Sequence, residues 1–174
     1  MANSTIATVS IGEYLRTSYR PDVEYIDGHL KEKPVVGFPH GRVQGFLFMW
    51  FEMHHDEWAI KAAVDTRTRV TADRVRLPDV VVVSAQEQAT GALSDPPLVA
   101  IEVLSLTDTY ADLKNHAADL QAMGTENIWL IDPDKRTAER WNGESWELHA
   151  SNILGAVDSP IHVDLDWLWA RLDG

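Results

Sequence analysis

The chain has 174 residues, 45% of them apolar, a formal net charge of −12 at pH 7 and no cysteine. That length supports one domain over residues 1–174 with a sizeable core, and the ordinary apolar fraction argues against disorder. The missing cysteines exclude a disulfide framework, a thiolate metal site and a thiol nucleophile, and so acidic a surface argues against a protein that merely coats nucleic acid.

Residues 1–10 lack both the basic start and the long apolar stretch of a secretory signal. No apolar run approaches the ~20 residues needed to cross a bilayer, so no membrane partner is implied and a cytoplasmic location is expected. Ser10-Ile11-Gly12-Glu13 has the spacing of a capping box and predicts a short helix to about Ser18, closed off by Pro21. Val23 to Ile26, Asp27-Gly28 and His29 to Lys31 read as a hairpin, because Asp-Gly supplies the positive φ angles of a tight turn. From His40 to about His54, Val43, Phe46, Leu47, Trp50 and Phe51 recur at helical spacing and predict a long helix.

Strands are expected over Ala59 to Val64 and Thr66 to Val70, with Ala72-Asp73-Arg74 as a turn into Asp79 to Ser84. That last run contains four consecutive valines, and Leu98 to Leu104 is equally apolar but for one residue. Strands apolar on both faces belong in the middle of a covered sheet. A second long helix is predicted over Thr109 to Met123, ending at Gly124. Asn127 to Ile131 reads as another buried strand, Thr137 to Trp141 and Ser145 to His149 as a hairpin around Asn142-Gly143, and Asp164 as the cap of a last short helix. The fold class is α/β, a mixed central sheet flanked by helices, with N-terminal and C-terminal hairpins.

The exception in the second apolar run is Glu102. A lone carboxylate there loses its hydration at a cost of several kcal/mol unless it is paired, protonated or bound to a cation. A structural ion pair with an arginine would account for it; so would a functional acid at a strand end, where α/β sheets form their sites. Asp79 enters the valine run 23 residues earlier. One loop between the two strands lets them return side by side, so that both carboxylates converge on one hard cation. With oxygen ligands alone, that cation is Mg²⁺ or Mn²⁺ rather than zinc. Glu24, just before the Asp27-Gly28 turn, is a third candidate, although an exposed carboxylate on an edge hairpin would look the same. His40 could orient a water or a phosphate, or simply start its helix.

His54-His55-Asp56-Glu57 has a metal-like composition but reads as a solvated helix end, and Trp141, Trp146, Trp167 and Trp169 read as core or subunit interface.

Pro78-Asp79, Ile101-Glu102-Val103-Leu104-Ser105, the Asp112-Leu113 helix, Gly124 and Asn127 to Asp132 together resemble a bacterial family, the "putative restriction endonuclease" domain family. It belongs to the PD-(D/E)XK, restriction-endonuclease-like superfamily. Glu24-Tyr25-Ile26-Asp27-Gly28 and His40-Gly41-Arg42 match its N-terminal half, so the resemblance spans most of the chain. It implies a metal-dependent phosphodiesterase acting on DNA, with Asp79 and Glu102 as ligands of Mg²⁺ or Mn²⁺ and Glu24 as an auxiliary acid. It also implies a lysine, usually two residues after the second acid, where this chain has Leu104. In this family the lysine moves to the following helix, and the corresponding residue here is His116.

Lys114 lies about 200° around the helix from that position and should point elsewhere. At its ordinary pKa of ~6.5, His116 would be mostly neutral at pH 7, unless a carboxylate such as Asp112 raised it. The catalytic set implied is therefore Glu24, Asp79, Glu102 and His116, and His116→Lys is expected to increase any activity. A non-catalytic member of the same fold, serving as a binding module, is the alternative. Cleavage of both strands of a duplex would favour a homodimer.

Overall fold

A computed structural model describes residues 8–174. Residues 1–7, which hold most of the segment read as unlike a secretory signal, lie outside the described residues. Ser10 caps α1 (Ile11–Arg16), its hydroxyl accepting the Glu13 N–H at 3.2 Å. β1 (Val23–Ile26) and β2 (His29–Glu32) pair antiparallel around Asp27 and Gly28, whose φ angles of 49° and 91° are those the turn requires. α2 (Phe38–Met53) has Pro39 in its first turn, where a missing N–H costs nothing, and short α3 (His55–Trp58) follows it.

Four strands come next: β3 (Ile60–Val64), β4 (Thr68–Thr71), β5 (Arg74–Arg76) and β6 (Val80–Ser84). β7 (Val99–Val103) leads into α4 (Tyr110–Met123), which Thr109 caps and which ends at Gly124 with φ 112°. β8 (Asn127–Asp132), β9 (Thr137–Trp141) and β10 (Trp146–Leu148) precede a small pair, β11 (Ile153–Gly155) and β12 (His162–Asp164). The Asp164 carboxylate accepts the Trp167 N–H to start α5 (Leu165–Asp173). Among the described residues, no helix is long and apolar enough to cross a membrane.

The central sheet is mixed, in the order β10-β9-β8-β7-β6-β3, and only β7 and β8 run parallel. α4 makes the crossover that a parallel pair needs. Val80, Val82, Val99, Ile101 and Val103 turn one face toward α2 and α5, where Leu47, Phe51 and Leu168 are fully buried. Ala100 and Ile128 turn the other face toward Ala117 and Leu120 of α4. Both faces are covered, which is why these strands read as unbroken apolar runs.

β1 and β2 form the hairpin expected around Asp27-Gly28, and it does not stand alone. They belong to a second sheet, antiparallel and ordered β2-β1-β5-β4. β5, Arg74-Val75-Arg76, has no apolar alternation to mark it, and its place is set by pairing with β1 and β4. α4 packs between this second sheet and the central one, against β4 and β8.

Candidate active site

Alternation along β7 places Val99, Ile101 and Val103 on the α2 face and Glu102 on the α4 face. In the β6–β7 ladder Val80 is opposite Ile101, so one step further Asp79 stands opposite Glu102. Directly opposed residues of an antiparallel pair share a face, with Cβ atoms about 5 Å apart. Asp79 and Glu102 therefore lie side by side at the floor of a cleft between the sheets, and both are buried.

Asp79 is held from three sides. Its Oδ2 accepts the Val103 N–H at 2.7 Å, while Oδ1 accepts from Lys33 Nζ at 2.8 Å and lies 3.4 Å from His40 Nε2. Burial would raise its pKa, but His40 and Lys33 outweigh burial and hold it at about 2. Glu102 behaves in the opposite way: burial raises its pKa, the Asp79 charge adds to that, and His116 offsets only part. Its partner is His116, whose Nδ1 lies 3.2 Å from Oε1, and not an arginine. Two adjacent carboxylates pushed apart in acidity are what a site that holds a cation or moves a proton requires.

Glu24 is 2% exposed, in an interior strand of the second sheet, and so is not an exposed edge carboxylate. Its Oε1 accepts the Leu77 N–H at 3.0 Å; its Oε2 accepts from Arg76 Nη1 at 2.9 Å and faces His116 Nε2 at 3.1 Å. Burial would raise its pKa, but His116, then Arg76 and the Leu77 N–H, bring it down to about 2. Arg76 in turn donates to buried Asp119 of α4 at 2.7 Å, and Arg74 donates to the same carboxylate at 2.9 Å. This network fixes Glu24 and α4 relative to each other. The sequence reading did not include Arg76 or Asp119, and a carboxylate in a helix otherwise rich in polar residues carries little signal.

His116 bridges Glu24 and Glu102, one ring nitrogen to each. With both carboxylates ionised, each faces a ring nitrogen as an acceptor, an arrangement that favours the imidazolium. Burial would lower its pKa, but Glu102 and Glu24 carry it up to about 10. Nearby carboxylates thus raise the ring above its ordinary value. The carboxylates responsible are Glu102 and Glu24; Asp112 instead pairs with Lys31 at 3.2 Å and with Thr109 at 2.8 Å. Lys114 is exposed, pointing away as its helical offset predicts.

A second cation was not anticipated. Lys33, just beyond β2, reaches into the cleft and donates to Asp79 at 2.8 Å, Asp65 at 2.8 Å and the Leu77 carbonyl at 2.7 Å. Asp79, Glu102 and Asp65 keep it charged well above the usual lysine range, although burial alone would lower its pKa. Alternation along β2 does place Lys31 and Lys33 on one side, which is the signal that could have found it. His40 lies inside the cleft, buried, with Nδ1 unpartnered. His54, at the far end of α2, stacks on Trp58 with ring centroids 4.3 Å apart and takes no part in the site.

Among the described residues, no three carboxylate or imidazole side chains are arranged as a ready metal-binding group. The cleft instead presents two adjacent carboxylates, and the oxygens of Asp79, Asp65 and Leu77 already hold a cation, the Lys33 ammonium. Such a donor set fits a hard divalent ion of the Mg²⁺ type, which is bound through one or two carboxylates and completes its shell with water and phosphate oxygens.

The sequence profile of the Uma2 family, described as "Putative restriction endonuclease", matches residues 12–166. No curated protein matches the chain. Among solved structures, a "putative nuclease belonging to DUF820" from Anabaena variabilis is similar with a TM-score of 0.77 and 22% identity, over 94% of this chain and 99% of its own. At that identity the likeness concerns the fold. A chain of a DrdV–DNA complex aligns with a TM-score of 0.40 and 18% identity, over 75% of this chain and 10% of its own.

Proposed function

The chain belongs to the Uma2 family of putative restriction endonucleases, and from that premise we propose that it is a divalent-metal-dependent nuclease acting on DNA. The observation that carries this reading is the pairing of Asp79 with Glu102 across β6 and β7, at the floor of a cleft with two built-in cations. Asp79 and Glu102 would hold Mg²⁺ or Mn²⁺. Such an ion activates a water and stabilises the charge that develops on a phosphate.

The chain's own residues do the rest. The Val103 N–H and the β-ladder fix the aim of Asp79. His116 holds Glu102 in place and, through Glu24 and Arg76, is locked to the second sheet. Its imidazolium and the Lys33 ammonium face a bound phosphate with positive charge, in a protein that is otherwise strongly acidic. Burial pushes Glu102 up while Asp79 and Glu24 are held down, so of the three it is the one suited to exchange a proton. Cutting both strands of a duplex would place two copies of the cleft in a homodimer.

A second reading, a non-catalytic binding module, has one observation in its favour. Each of the three buried acids of the cleft already has an internal cation, Lys33 for Asp79 and His116 for Glu102 and Glu24. Calorimetric titration of Mn²⁺ into the parent chain and Glu102→Ala, followed by incubation of both with supercoiled plasmid, separates the two. Binding and nicking by the parent, both lost in the variant, are the expected results. A parent that neither binds Mn²⁺ nor nicks DNA belongs to the second reading.

A further inference from the structure

Asp79 has one oxygen to offer to the cleft. Its Oδ2 is taken by the Val103 N–H at 2.7 Å, within the framework of the β6–β7 pair. Its Oδ1 faces inward, and Lys33 already donates to it at 2.8 Å, with His40 Nε2 at 3.4 Å. A divalent ion bound through this cleft-facing oxygen shares it with Lys33. An ammonium and a divalent ion crowded on one oxygen repel each other strongly, and more so in a buried site than in water.

Lys33 has an alternative position. Its Nζ also donates to Asp65 Oδ1 and to the Leu77 carbonyl, so leaving Asp79 gives up one of three partners. Asp65 is half-exposed and is steadied by Gln44, which donates to its other oxygen at 3.1 Å. There is also room. Lys33, His40 and Asp79 line both the acid cleft and an adjoining cavity walled by Pro21, Gln44 and Asp65. The lysine side chain stands in the partition between the two. A small movement toward Asp65 takes it off Asp79 without losing its charge or leaving the cleft.

We propose that Lys33 is a tethered counter-ion that competes with the divalent cation for Asp79. It neutralises the carboxylate while no ion is bound. It moves toward Asp65 when one binds, and then stays at the rim as a positive charge for a phosphate. This rests on the metal-dependent reading above and goes beyond it, because it assigns to the β2–α2 segment the cation that the helix position lacks as a lysine.

The test is calorimetric titration of Mn²⁺ alone into the full chain and into Lys33→Met, with Lys31→Met as control. Lys31 pairs with Asp112 at the mouth of the cleft. The Lys33 variant is expected to bind Mn²⁺ more tightly than the parent, on the order of tenfold or more, since a charge-assisted hydrogen bond no longer has to be broken. Lys31→Met is expected to change affinity by no more than about threefold, as befits a partly exposed charge. Lys33→Gln keeps a polar side chain while losing the charge, and it replaces the methionine variant should that fail to fold.

If the parent binds Mn²⁺ and the Lys33 variants bind it equally or more weakly, the competition does not exist, while the metal-dependent reading stands. An equal gain in Lys31→Met would reduce the effect to the general field of the cleft and would also overturn the proposal. If neither the parent nor any Lys33 variant binds, both readings fall together.

Discussion

His116 Nδ1 lies 3.2 Å from Glu102 Oε1, at the helix position where the family resemblance implies a lysine. The opposite nitrogen reaches Glu24, so one ring ties a carboxylate of the central sheet to a carboxylate of the second sheet. The positive charge that the substitution of lysine removes is restored by the two acids that the histidine touches. The flat ring places one nitrogen toward each carboxylate.

A pH dependence follows from that bridge. His116 is held up to about 10 in the folded chain, against an ordinary 6.5, because Glu102 and Glu24 outweigh the opposing effect of burial. A folded pKa above the unfolded one means that the stabilisation is complete below ~6.5 and is lost as pH rises through about 10. Thermal denaturation is expected to show a falling midpoint between neutral pH and about 10. The His116 ring resonances, followed by NMR, should titrate at the alkaline end of that window. A ring that titrates near 6.5 would mean the bridge is not formed in solution.

Replacement of the ring tests the same contact by stability. His116→Gln leaves Glu24 and Glu102 buried with one cation fewer, and removing one partner of a buried pair costs about 3–5 kcal/mol. Adding Glu24→Gln should cost less than the sum of the two single changes, since the charge left unpaired is then gone. Urea denaturation of the two single variants and the double variant measures this coupling. His116→Lys keeps a charge but replaces the two-ended ring with a single point of charge, so it is expected to be less stable than the parent even if it is more active. Parallel stability and plasmid-nicking curves separate the two effects, and additive losses in the glutamine variants would deny the bridge its energetic role.

The residues legible in the sequence were those that break a local pattern. Glu102 interrupts an apolar strand, Asp79 opens a valine run, and Gly124 ends a periodic helix. Each is marked by its own neighbours. Arg76, Asp119 and Lys33 are not, because their partners lie far along the chain: Arg76 meets Glu24 across 52 residues and Asp119 across 43, and Lys33 meets Asp79 across 46. The same holds for the fold. β6, β7 and β8 announce themselves by being covered on both faces, whereas β5 is a strand only because β1 and β4 are beside it. β11 and β12 are three residues each, too short for alternation to register.

Gly124 gives a prediction away from the cleft. Its φ of 112° lies in the left-handed region, and an added Cβ would stand 3.3 Å from the Pro96 ring. Gly124→Ala is expected to destabilise the fold by about 1–2 kcal/mol through the backbone conformation alone. Thermal denaturation reads the loss, and Mn²⁺ affinity, measured on the folded variant, should stay at the parent value. An unchanged midpoint would mean that the helix end relaxes without the left-handed cap.

Arg76 is the residue whose loss should be felt most widely. It is 4% exposed and sits between Glu24 and Asp119, both of them buried. Arg76→Met roughly keeps the length of the side chain but leaves Glu24 with His116 as its one cation and Asp119 with Arg74 as its one cation, at a cost of about 3–5 kcal/mol. Arg76→Lys keeps the charge without the fork that serves two carboxylates at once, and should fall between the methionine variant and the parent. The acid limb carries the more specific signature. Glu24 has a folded pKa of about 2 against an ordinary 4.5, so its stabilisation is present above ~4.5 and is lost as pH falls toward about 2. With Arg76 gone the folded pKa rises, and the loss should begin at higher pH. Denaturation midpoints measured from neutral pH down to about 3 should show the variant curve dropping earlier than the parent curve, not merely running parallel below it. Parallel curves would mean that Arg76 holds the sheets together by packing, and that the charge of Glu24 is borne by His116 and the Leu77 N–H alone.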